Sequence, residues 1–122
     1  MAGRFRIYTD ADINGPVVTA LKRRGWDVLR AVDAYPEKTP DVVHFERAAA
    51  EGRVFVTNDR RLEAIAHEWL AQGRPFRALI CWPRSHYRHM SPGDFVRAFE
   101  GLALQEDAFD PYPIHHLRAG RQ

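Results

Sequence analysis

Two aspartates one residue apart, Asp10 and Asp12, follow directly on the apolar run Phe5-Arg-Ile-Tyr-Thr9. A third, Asp59, stands two residues beyond the run Arg53-Val-Phe-Val-Thr57. Carboxylates gathered at one place repel one another unless a proton or a cation intervenes. A hard divalent ion such as Mg²⁺ is a natural counterion, since it takes one or two carboxylates and keeps several waters. Such an ion polarises a phosphodiester and lowers the pKa of an attacking water. Asp41, just after Pro40, and Glu46, about one helical turn further on, are candidates for a further ligand. Each aspartate taken singly reads more simply as a turn former or a helix cap. Only their position relative to one another makes them a site.

That position is set by an alternation of strands and helices. Phe5 to Thr9 reads as a buried strand that breaks at Asp10-Ala-Asp-Ile-Asn-Gly-Pro. Pro16 suits the first turn of the helix carrying Val17, Val18 and Leu21, and Gly25 suits its end. Asp27 to Val32 reads as a second strand, 34–40 as a loop, and Thr39-Pro40 as the capped start of a helix reaching Gly52. Arg53 to Thr57 is the clearest strand. Leu62, Ile65, Ala66, Trp69 and Leu70 form an apolar stripe on the helix that follows it. Phe76 to Trp82 reads as a fourth strand, and Ser91 with Asp94 as the capping box of a helix through Phe95, Phe99 and Leu102. The segment 107–122 is an irregular tail, in which Tyr112 to Leu117 could form a short edge strand.

Strands alternating with helices imply right-handed crossovers, a mainly parallel sheet of four to five strands, and helices on both faces. The expected fold class is therefore α/β, a single three-layer domain over residues 1–122. In such sheets the site lies beyond the carboxyl ends of the strands, where the strand order reverses. If the first and third strands are neighbours, Asp10, Asp12 and Asp59 converge on one crevice.

The 122 residues carry 18 Lys and Arg against 16 Asp and Glu, a net charge of +2 that says little about partners. Its distribution says more. Residues 1–59 are neutral, residues 60–97 hold seven arginines against three acidic residues, and residues 98–122 carry a net −2. Arginine presents planar, bidentate donors suited to phosphate oxygens. The stretch Trp82-Pro-Arg-Ser-His-Tyr-Arg-His-Met90 interleaves Arg84 and Arg88 with Tyr87, a composition that could stack unpaired bases and contact phosphates. An ordinary surface loop packed by Tyr87 is the simpler alternative. His86, His89, His115 and His116 lack the cysteine cluster or the His-Glu-x-x-His spacing of a zinc site and read as ordinary loop histidines. Cys81 lies in an apolar run and reads as an inert buried thiol, while Trp26 and Trp69 read as core. No apolar run is long enough to span a membrane, and the N-terminus does not read as a secretory signal. One cysteine is compatible with a reducing compartment, so a cytoplasmic location is expected.

The strand ending in Asp10-x-Asp12, with Gly15 soon after, resembles the first motif of haloacid-dehalogenase-type phosphatases, with Thr57 where a second motif would stand. The cap, lysine and distal acidic motif of that family need more chain than remains. A broader resemblance is to small PIN-like proteins linked to toxin–antitoxin systems. These look like strand, Asp-Glu-Asn-Leu-Pro, a helix ending near Gly-His/Trp-Asp-Val, Ser-Asp and a helix, then Glu-x-Arg-Val-Leu-Val-Thr-x-Asp-x-Asp-Phe. The matching blocks here are Asp10 to Pro16, Gly25-Trp26-Asp27-Val28, Thr39-Pro40-Asp41 and Glu51 to Asp59, in order. The stretch Ile65 to Trp69, Gly73-Arg74 and Leu79-Ile80 is similar to one branch of the group, so that the resemblance covers roughly residues 5–82.

What this resemblance implies is a PIN-like fold with a Mg²⁺ or Mn²⁺ site that hydrolyses RNA. Asp10 and Asp59 would be ligands, Asp41 a third candidate, and Asp12 would stand where the family usually has Asn. On the reading of the arginines and the aromatic stretch above, Arg60, Arg61, Arg84, Arg88 and Tyr87 would hold that RNA, single-stranded or structured. An antitoxin protein and a second copy of the chain are the implied protein partners. Two positions depart from the pattern: the family's Glu after the first Asp is Ala11, and its second Asp of the last block is Arg61. Losing two carboxylates and gaining a cation weakens metal binding by charge alone. A catalytically degenerate module that binds RNA or an antitoxin is therefore the alternative reading.

Overall fold

A computed structural model describes residues 4–10, 13, 15–34, 38–81, 90–105 and 108–117. Among the described residues, five strands form one parallel sheet: β1 Ile7–Thr9, β2 Val28–Arg30, β3 Val54–Thr57, β4 Ala78–Cys81 and β5 Ile114–His116, in the order β2-β1-β3-β4-β5. Among the described residues the helices are α1 Gly15–Arg23, α2 Ala31–Ala34, α3 Asp41–Ala50, α4 Arg60–Ala71 and α5 Pro92–Ala103.

Side chains alternate across a strand, and here the alternation separates two cores. Ile7, Val54, Val56, Ala78 and Ile80 face α1 and α5, where they meet Val17, Leu21, Phe95 and Phe99. Tyr8, Phe55, Leu79, Cys81 and Ile114 face α3 and α4, where they meet Phe45, Ala48, Leu62, Ala66 and Trp69. Trp26 and Trp69 are both buried, as expected. Helices thus cover both faces of an all-parallel sheet, the three-layer α/β arrangement read from the sequence.

The cap at α5 forms as the sequence suggests: Ser91 Oγ accepts from Asp94 N–H, and Asp94 Oδ2 accepts from Ser91 N–H. Gly25 closes the turn after α1 at φ +88, a left-handed conformation that costs glycine little. Several boundaries differ: β1, β4 and β5 begin two residues later than expected, at Ile7, Ala78 and Ile114. The second strand is shorter than Asp27 to Val32, because β1 ends at Thr9, whose pairing with Arg30 is the last rung between β1 and β2 among the described residues. The chain turns there into the one-turn helix α2. Pro40 sits at the N-cap of α3 instead of its first helical position and has no side-chain cap hydrogen bond to give, and Thr39 lies one residue before it. Asp41 instead places its negative charge in the first turn, at the positive end of the helix dipole.

The motif around Glu51-Gly52-Arg53 and Asp27 resolves into a structural ion cluster. The Arg53 guanidinium is buried and donates to Ile7 O at 3.0 Å, Asp27 Oδ1 at 2.9 Å and Glu51 Oε1 at 2.8 Å. It ties together the amino ends of β1, β2 and β3, the end of the sheet opposite Asp10 and Asp59. The hydrogen bond and charge of Arg53, with a smaller contribution from Arg6, hold the Asp27 carboxyl below its usual range.

Candidate active site

The chain runs outward from β1 to β2, then returns to add β3 on the other side of β1. The strand order therefore reverses between β1 and β3, and the crevice at their carboxyl ends is where such folds place their sites. Asp10 follows β1, and its N–H continues the ladder to Val56 O at 3.0 Å. Asp59 follows β3 and opens α4. The two aspartates are linked through the fully buried Thr57. Its hydroxyl donates to Asp10 Oδ2 at 2.7 Å and accepts from Asp59 N–H at 3.0 Å.

Asp59 is also the N-cap of α4, with Oδ1 accepting from Arg61 N–H at 2.9 Å. The structural and functional readings of this aspartate coexist in one side chain. Arg61, the departure from the family pattern, returns over the same carboxylate: Nε lies 3.2 Å from both Asp59 oxygens and Nη2 lies 2.8 Å from Oδ2. Its Nε is also 3.9 Å from Asp41 Oδ2, at the start of α3. The hydrogen bond and charge of Asp59, then the charges of Asp41 and Asp10, raise the affinity of this guanidinium for its proton. Three aspartates from three separate segments thus act on a single cation. The Arg61 side chain is itself 79% exposed, so water and salt screen these pairs.

Of the sequence-predicted residues, Asp10, Asp41, Asp59 and Arg61 are brought together, and Arg60 is exposed in the first turn of α4 beside them. Glu46 is not: it lies on the exposed part of α3, 3.9 Å from Arg74 Nη2. Asp12, Arg84, Tyr87 and Arg88 lie outside the described residues. A groove of about 640 Å³ between α1 and α5, lined by Arg23, Arg97 and Glu100, holds none of the candidate site residues.

The donor set suits a hard divalent cation, with carboxylates as the charged oxygen ligands. Two buried polar atoms at this rim, Thr9 Oγ1 and Asn58 Oδ1, have no hydrogen-bond partner among the described residues. Asn58 Oδ1, one residue before Asp59, is a neutral oxygen of the kind such ions and their waters use. Asp10, Asp59 and Asp41 would hold the ion, whose chemistry would be the activation of water and the polarisation of a phosphodiester. Arg61 is the feature that opposes it, since the guanidinium occupies the carboxylate a metal would take.

The fold and the crevice together define an α/β protein with an acidic cluster at the switch point of a parallel sheet. The family model described as a PIN-like domain matches residues 5–75, more than half of the chain, and the protein belongs to that family, whose members form a PIN-type nuclease group. Comparisons with curated proteins and with solved structures returned no match. The phosphatase alternative has no support from these findings.

Proposed function

We propose that the protein is a metal-dependent ribonuclease of the PIN-like class, with Asp10, Asp41 and Asp59 holding Mg²⁺ or Mn²⁺. The observation that carries this reading is the gathering of these carboxylates at one rim: Arg61 pairs with Asp59 and reaches to 3.9 Å from Asp41, and Thr57 bridges Asp59 to Asp10. Asp12, two residues after Asp10 in the sequence, would add a fourth carboxylate, and Thr57 would fix the spacing of Asp10 and Asp59. Arg61 competes with the ion for Asp59. Once a metal is seated, this long and exposed side chain is free to turn to the phosphate backbone, beside Arg60. Arg84, Arg88 and Tyr87 would extend the contact to RNA. Family membership supports nucleic acid as the substrate class and divalent-metal dependence.

The test is cleavage of an RNA oligonucleotide in Mn²⁺ by the native protein and by Asp10→Asn and Asp59→Asn, each checked for native circular dichroism. Loss of cleavage in both variants is expected; full activity in either overturns the assignment. The bidentate Arg61–Asp59 pair favours one second reading, a non-catalytic module that pairs with RNA or an antitoxin. RNA retention without cleavage, and without a Mn²⁺-induced rise in melting temperature, would establish it in place of the first.

A further inference from the structure

The same rim of the sheet carries a second cluster, one strand further from β1. Cys81 ends β4, paired in register with Thr57 of β3 on one side and with His116 of β5 on the other. Glu63 reaches over both from the first turn of α4. Its Oε1 lies 3.9 Å from Cys81 Sγ and its Oε2 lies 2.9 Å from His116 Nε2. The three ligand atoms all fall within 4.8 Å of one another. His67, one turn along α4, brings Nε2 to 3.6 Å from the same Glu63 oxygen, while its Nδ1 is engaged by the Tyr112 hydroxyl at 3.1 Å. A histidine whose second nitrogen is held by a neighbouring polar group is the usual outer-shell arrangement of a metal-ligating imidazole.

We propose that Glu63, Cys81 and His116 form a transition-metal site, of the class that binds Zn²⁺, separate from the acidic crevice. The ligand types decide the class. A thiolate and an imidazole select borderline metals, whereas the hard ions expected between the aspartates prefer oxygen. Size agrees as well. Bonds of about 2.0–2.3 Å to zinc put tetrahedral ligand atoms roughly 3.3–3.8 Å apart, so seating the ion requires shifts of about 1 Å. His116 is half exposed and can make that shift, whereas Cys81 is buried and fixed. Binding replaces the sulfur–hydrogen bond of Cys81 by a sulfur–metal bond and releases that proton to solvent. It also neutralises the negative charge of Glu63 next to the buried sulfur. Three protein ligands leave a fourth position for water or for His67. The metal would fasten β5, the edge strand, to β4 and α4. Cys81 and His116 both lie beyond residue 75, where the PIN-like match ends.

The experiment uses the full chain, stripped with a chelator and titrated with Co²⁺ and then Zn²⁺. One equivalent of Co²⁺ should give a thiolate-to-cobalt charge-transfer band, and Zn²⁺ should displace it. Cys81→Ser should abolish the band, and His116→Ala and Glu63→Gln should each weaken Co²⁺ binding at least tenfold. Asp10→Asn should leave the band unchanged, which separates this site from the acidic crevice. His116 and Glu63 are partly exposed, and circular dichroism of both variants verifies that the fold is retained. Absence of the band at stoichiometric Co²⁺ overturns the proposal. So does unchanged affinity in folded His116→Ala, or loss of the band in Asp10→Asn.

Discussion

Replacing Thr57 by valine removes one oxygen from the centre of the acidic crevice and leaves the shape of the side chain nearly intact. Thr57 is fully buried, and its hydroxyl both donates to Asp10 Oδ2 and accepts from Asp59 N–H. A hydrogen bond to a charged group contributes about 1.5–3 kcal/mol, and stranding a buried N–H costs about 1–3 kcal/mol. Asp10 is only partly buried and can take up water in place of the hydroxyl, which lowers the first contribution. A net loss of about 2–3 kcal/mol follows, or roughly 6–12 °C in melting temperature for a chain of this length. Thr57→Ser keeps both hydrogen bonds and loses one buried methyl, at about 1 kcal/mol. Urea unfolding with and without Mn²⁺ separates the two variants. Thr57→Val should be the less stable and bind Mn²⁺ more weakly than native protein, whereas Thr57→Ser should keep native affinity. If Thr57→Val unfolds within about 0.5 kcal/mol of the native protein, the hydroxyl does not link the two aspartates energetically.

Arg61→Ala should tighten Mn²⁺ binding, measured by titration calorimetry, and Arg61→Asp should tighten it further; unchanged affinity in both would show that the guanidinium does not compete. Arg53→Ala strands the Ile7 carbonyl and should cost about 2 kcal/mol by urea unfolding. Asp27 titrates below its ordinary value when folded, so its pairing contributes stability above the unfolded pKa near 3.8 and loses it as pH falls through the lower folded value. The stability gap between native protein and Asp27→Asn should accordingly shrink as pH is lowered below about 4. Ser91→Ala removes one half of the α5 capping box and should cost about 1 kcal/mol in the same assay.

The meeting of Asp10 and Asp59 was legible because topology forces it. Residues after consecutive parallel strands share one rim, so Asp10 and Asp59 needed only β1 and β3 as neighbours to meet. Arg61 was legible as a charge of the wrong sign, though not its return over Asp59 and toward Asp41, which depends on how α4 and α3 enter the crevice. Glu46 was misplaced because one turn along α3 carries it from the rim to the exposed surface beside Arg74. The cluster of Glu63, Cys81 and His116 gave no local signal. Its members are 18 and 35 residues apart and come from a helix and two strands, so only the β3-β4-β5 register assembles them. Cys81 is buried as its apolar run suggested, yet its sulfur faces a carboxylate, and burial together with Glu63 pushes the thiol pKa up to about 12. The end of β2 was overrun because a strand's length depends on its neighbour, and Thr9 ends β1 at the rung of Arg30.

The most direct test of the acidic crevice is Mn²⁺-dependent cleavage of an RNA oligonucleotide by native protein and by Asp10→Asn, with matched circular dichroism. The expected result is cleavage that a chelator stops in the native protein and that is absent from the folded variant. Cleavage by Asp10→Asn at the native rate, or cleavage that survives the chelator, would contradict the assignment.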